Sequence, residues 1–131
     1  MKTNLFKYLS LVFLTVLMGC QKDNETVSEL IIGKWDWVKT IIPYGGQISN
    51  PKTSGFSKSL EFMKDGNMRE YRNDSLIATS SYKIQRDTSA PNYYVLTNST
   101  IIGSHFYMVD DSLIFNEASV DGQVSSFLRK K

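Results

Sequence analysis

This sequence contains one cysteine, one histidine and three prolines in 131 residues. A single cysteine excludes an intramolecular disulfide, and with a single histidine it also excludes the His/Cys ligand sets of structural zinc sites. No Gly-X-Ser-X-Gly elbow is present to pair with His105, so the usual strand-to-helix serine nucleophile is missing. Gly45-Gly46 has neither the lysine nor the helix start of a phosphate-cradling loop. No apolar run approaches the 20 or so residues of a membrane-crossing helix. No block of one charge forms a face either, and the closing Arg129-Lys130-Lys131 is too short for a nucleic-acid footprint. These absences predict a protein without enzyme activity, metal, cofactor or nucleic-acid partner.

What is present begins at the N-terminus. Met1 to Lys7 is short and basic, and Tyr8 to Met18 is apolar except for Ser10 and Thr15. A basic head, a short apolar core and a small residue at its end make a secretory signal. Leu17-Met18-Gly19-Cys20 resembles the bacterial lipobox. That resemblance implies cleavage between Gly19 and Cys20, and attachment of acyl chains to Cys20. One acyl chain gives only reversible membrane binding, whereas two or more hold a soluble domain durably. Gln21-Lys22-Asp23-Asn24-Glu25 then resembles the surface-export tag of some Gram-negative lipoproteins. It implies the outer face of the outer membrane; the periplasmic face is the alternative, with these residues as a plain polar tether. Setting aside Lys2 and Lys7, the mature chain holds 13 basic and 13 acidic side chains and is close to neutral. The expected organisation is a cleaved signal over 1–19, a lipidated cysteine and tether over 20–29, and one folded domain over 30–131.

From Leu30 onward apolar residues recur with period two, interrupted every few residues by Gly, Asn, Asp or Pro. That alternation predicts short antiparallel strands. Expected strands are Gly33 to Ile42, Ser57 to Met63, Met68 to Arg72, Ser75 to Arg86 (with a break near Ser80-Ser81), Tyr93 to Thr97, Ile101 to Val109, Ser112 to Phe115 and Val124 to Lys130. Lys64-Asp65-Gly66-Asn67, Asn73-Asp74, Asp110-Asp111 and Asp121-Gly122 are expected turns, and Pro43 to Gly55 a long loop. Glu61 and Glu70, on the two arms of one hairpin, are read as facing solvent or a cross-strand Arg69 or Lys. Eight such strands leave two open edges unless the sheet closes. The predicted fold is therefore all-β: an antiparallel up-and-down meander closed into an eight-stranded barrel.

Gly33-Lys34-Trp35 in the first strand and Arg129 in the last resemble the Gly-X-Trp signature of the lipocalin and fatty-acid-binding superfamily. Leu60-Glu61-Phe62 with Lys64-Asp65-Gly66, Ser81-Tyr82-Lys83-Ile84, Asp111-Ser112-Leu113 and Phe127-Leu128-Arg129 resemble the bacterial lipocalin-like domain. The resemblance implies that Gly33, Trp35 and Arg129 close one end of the barrel. It also implies a small apolar or amphipathic ligand inside, for which Trp37, Leu60, Phe62, Tyr71, Tyr82 and Ile84 are candidate lining residues and the Pro43–Gly55 loop a lid. The alternative is a filled barrel whose loops, with exposed aromatics at Asn92-Tyr93-Tyr94, bind a protein or glycan partner. An interior cavity of roughly 300 Å³ or more favours a ligand, and a solid interior excludes one.

Overall fold

The computed structural model describes residues 27–98, 104–117 and 122–131. Gly19, Cys20 and the Gln21–Glu25 tag lie outside the described residues, as does Asp121 of the expected last turn. The described chain is an antiparallel sheet of nine strands: β1 (Gly33–Ile42), β2 (Gln47–Ser49), β3 (Lys58–Phe62), β4 (Asn67–Arg72), β5 (Ser75–Arg86), β6 (Tyr94–Asn98), β7 (Ser104–Val109), β8 (Ser112–Asn116) and β9 (Val124–Arg129). Neighbours pair in sequence order from β3 to β9, and β1 pairs with both β3 and β9. That last pairing closes eight strands into a lipocalin-like barrel. The ninth, β2, folds back on the far half of β1, with Ile41 opposite Ile48.

Tight turns set the registers. Asn73 and Asp74 both adopt positive φ, 50° and 60°, as a two-residue hairpin between right-twisted strands requires. Gly66 (φ 81°) and Asp110 (φ 51°) serve the β3–β4 and β7–β8 turns. The expected break in β5 near Ser80-Ser81 is absent. Its irregularity lies earlier, where Glu70 pairs with Ala78 but Tyr71 with Leu76, leaving Ile77 as an extra residue. Pro43–Gly55 is not a plain loop either. It contains β2 and the Pro51–Ser54 helical turn, which Asn50 caps by accepting from the Thr53 amide while Thr53 Oγ1 accepts from the Asn50 amide.

Directly opposed residues share a face, so the registers decide which side chains point inward. Trp35 faces Leu60 and Arg129; Phe62 faces Met68; Phe106 faces Tyr94 and Phe115; Leu113 faces Phe127. These side chains form the core, with Trp35, Phe106 and Leu113 fully buried. The outward positions carry Lys34, Asp36, Glu61, Arg69, Lys83 and His105. Apolar-in and polar-out is the pattern of a water-soluble barrel and the inverse of a membrane-spanning one.

Candidate functional site

The two ends of the barrel differ. At one end the interior is solid. Residues 27–30 form a helical turn and Ile31 enters the core fully buried, its carbonyl accepting from Trp35 Nε1 at 2.7 Å. The Arg129 guanidinium lies 4.2 Å above the Trp35 ring and donates to the carbonyls of Ile32 (3.0 Å) and Leu30. Gly33 sits beneath it with φ 128°, and a Cβ there would come 3.1 Å from Arg129 Nη1. Gly33, Trp35 and Arg129 thus form a single unit at this end. It seals the barrel interior at this end.

At the opposite end the barrel opens into a cavity of ≈ 80 Å³. Its floor is apolar, with Leu60, Met68, Leu96, Phe115 and Phe127. Its wall is polar and charged, with Lys58, Glu70, Ser104, Ser125 and Glu117. Alternation puts these charges inside: Lys58, Leu60 and Phe62 share one face of β3, and Met68 and Glu70 one face of β4. Lys58 Nζ lies 3.0 Å from Glu70 Oε1. Of the two glutamates on this hairpin, Glu61 does face outward beside Arg69, at 3.9 Å, whereas Glu70 faces the interior.

Aromatic side chains close the rim. Phe56, just past the helical turn, stacks on Trp37 with centroids 5.7 Å apart and planes 17° apart. The Arg72 guanidinium lies 4.0 Å from the centroid of the Phe56 ring. Trp37 Nε1 donates to Thr40 Oγ1 (3.0 Å), which is 2.9 Å from Ser125 Oγ on the cavity wall. A fixed polar chain therefore links the aromatic rim to the cavity.

The six residues expected to line a ligand separate. Leu60 lines the cavity and Trp37 stands at its rim. Phe62 is buried in the solid half, edge-on to Tyr82 at 5.1 Å. The Tyr82 hydroxyl donates to the Met63 carbonyl, and burial raises its pKa above the ordinary 10.0. Ile84 packs half-buried against the core. Tyr71 is the clear correction: it opposes Ser59, on the outer face, and its hydroxyl donates to Glu61 Oε2 at 2.7 Å while Lys34 Nζ sits 4.3 Å over its ring. The Glu61 bond raises the Tyr71 pKa. Tyr93 and Tyr94 are half-buried rather than exposed, one against Tyr107 and the other against Phe106.

Outside the barrel, His105 Nε2 lies 3.0 Å from Asp87 Oδ2. Asp87 Oδ1 accepts from the Ser89 hydroxyl (2.6 Å), the Ser89 amide (2.8 Å) and the Ala90 amide. These bonds, Ser89's first, and the nearby His105 hold its pKa below the ordinary 3.8. The Ser89 hydroxyl points at the carboxylate, so the three residues tie a loop to β7 and do not make a nucleophile.

No family model, curated protein or solved structure matches this chain. The barrel architecture therefore stands on the registers and on the closing β1–β9 pairing. Lys58, Glu70, Ser104, Ser125 and Glu117 were not among the residues expected to line the interior. The signal that finds them is the same period of two that finds Leu60 and Met68, extended past the last apolar residue to the next inward position.

Proposed function

We propose that this protein is a lipid-anchored envelope protein whose barrel takes a small amphipathic ligand at its open end. The carrying observation is the cavity itself, an apolar floor beneath a wall of charged and hydroxyl-bearing side chains. Lys58 and Glu70 stand on the inner face at the mouth, 37% and 27% exposed, where a ligand's polar group would meet them above the apolar floor. The size limits the ligand. Pockets for drug-sized ligands hold about 300–1,000 Å³, and ≈ 80 Å³ matches only a small molecule or the end of a larger one. An acyl chain threading the barrel would meet the solid Trp35 end.

The anchor belongs to this reading through the lipobox resemblance at Leu17–Cys20, and the cell surface through the Gln21–Glu25 tag. The first described residues enter the barrel at its closed end, away from the mouth. The reading assigns no chemical step and no cofactor to the protein. Purified from its own membrane in mild detergent and then denatured, the protein should release a small polar-headed compound detectable by mass. Release of a long-chain lipid, or of nothing, overturns the ligand reading. Protease added to intact cells should digest the barrel; full protection places it at the periplasmic face instead.

A second reading has its own observation. The cavity is well below ordinary ligand volumes, while Tyr44 (70% exposed) and Ile48 (54%) stand in solvent on the β1–β2 hairpin. A scaffold that binds a protein or glycan through this hairpin fits both facts. Crosslinking from position 44 on intact cells captures such a partner; an empty interior and a strong crosslink together favour this reading.

A further inference from the structure

We infer that the open-end cavity selects a small organic cation, with its ammonium at Glu117 beside the Lys58–Glu70 pair and its carbon skeleton on the apolar floor. The inference rests on the ligand-binding reading above and supplies the class of ligand. It starts from charge. Among the described residues the cavity wall carries one cation, Lys58, and two carboxylates, Glu70 and Glu117. The Lys58 ammonium is already engaged by Glu70 at 3.0 Å. Arg72, the next inward residue on β4, lies over Phe56 instead of entering the cavity. Glu117 has no ion-pair or hydrogen-bond partner for its carboxylate among the described residues. Among the described residues the site therefore has one negative charge in excess, and an entering anion meets Glu117 with Lys58 already paired to Glu70.

The floor agrees with this. Phe115 and Phe127 pack edge-to-face, centroids 5.9 Å apart and planes 86° apart. This packing fixes both rings in place as an apolar floor for the ligand's carbon skeleton. The Ser104 and Ser125 hydroxyls add oxygen lone pairs to the same wall, Ser125 beside Thr40 Oγ1 at 2.9 Å. A wholly apolar ligand leaves Glu70, Lys58 and both hydroxyls facing hydrocarbon, which is unfavourable. The volume equals two to three waters at about 30 Å³ each, which fits an amine of a few heavy atoms.

The test uses the mature lipidated protein in non-ionic detergent, titrated with propylammonium and separately with propionate. Amide resonances of Ser104, Phe115 and Ser125 report binding. Propylammonium should give saturable shifts at those amides and propionate none. Glu117→Gln, at an exposed rim position where folding is not at risk, should weaken propylammonium binding about three- to tenfold. Equal binding of both probes, preference for propionate, or no effect of Glu117→Gln overturns the cation assignment while leaving a ligand cavity standing. If neither probe shifts any cavity amide, the cation assignment falls. If the protein purified from its own membrane also releases no small molecule, the ligand reading falls with it.

Discussion

Trp35 and Arg129 show how much rests on a few side chains. Full burial of an aromatic of this size contributes roughly 1.5–3 kcal/mol through area alone, and removing it leaves a cavity as well. Trp35→Ala should therefore lower the unfolding free energy by about 3–5 kcal/mol, measured by urea titration; a loss below about 1 kcal/mol contradicts its place in the core. Gly33→Ala should also destabilise, because φ 128° disfavours any side chain and its Cβ would press on Arg129 at 3.1 Å. Asp87 carries a pH signature. Ser89's hydrogen bonds favour its charged form in the folded state, so its contribution is present above the ordinary value of 3.8 and is lost as pH falls through the lower folded value. The melting temperature of the wild type should drop more steeply below pH 3.8 than that of Asp87→Asn; parallel curves contradict the assignment. At this scale the Gly33–Trp35–Arg129 grouping was readable beforehand, because a closed barrel brings its first and last strands together. Asp87 was not, since its partners Ser89 and Ala90 lie in a turn whose shape alternation does not encode.

Among the elements, strand identity followed directly from alternation, and within the described residues the strand ends fell close to where Gly, Asn and Asp predicted, the expected start at Ile101 lying outside them. Two features escaped. β2 was hidden inside a segment with two prolines, because three residues are too few to show a period, and only their pairing with Thr40–Ile42 makes them a strand. The Ile77 bulge was hidden because Leu76, Ile77 and Ala78 are all apolar and give alternation no phase. Tyr71 was misassigned for the opposite reason, a clear alternation that points the wrong way. Its neighbours Glu70 and Arg72 are charged and suggest that Tyr71 is the inward residue, yet Leu60 opposite Glu70 settles the opposite phase. The rim element yields a prediction of its own. Phe56→Ala removes the stack on Trp37 and the Arg72 contact, each worth about 0.5–1.5 kcal/mol. It should destabilise by about 1–3 kcal/mol in the same urea titration and shift tryptophan fluorescence to the red, as Trp37 becomes wetted. An unchanged spectrum means that Phe56 does not cover Trp37 in solution.

For the molecule as a whole, closure is the decisive fact: among the described residues every strand except the short β2 has at least two neighbours. Closure also separates a solid end, where the chain enters, from an open end with a charged wall. The proposed role joins those two ends, with an anchor upstream of the plug and a small ligand at the mouth. Its location depends on Cys20, so lipidation is the claim to test first. Cells expressing the protein and its Cys20→Ala variant, grown with radioactive palmitate, supply that test. The account predicts labelled wild-type protein in the membrane fraction and an unlabelled variant; a wild-type protein that takes up no label contradicts it.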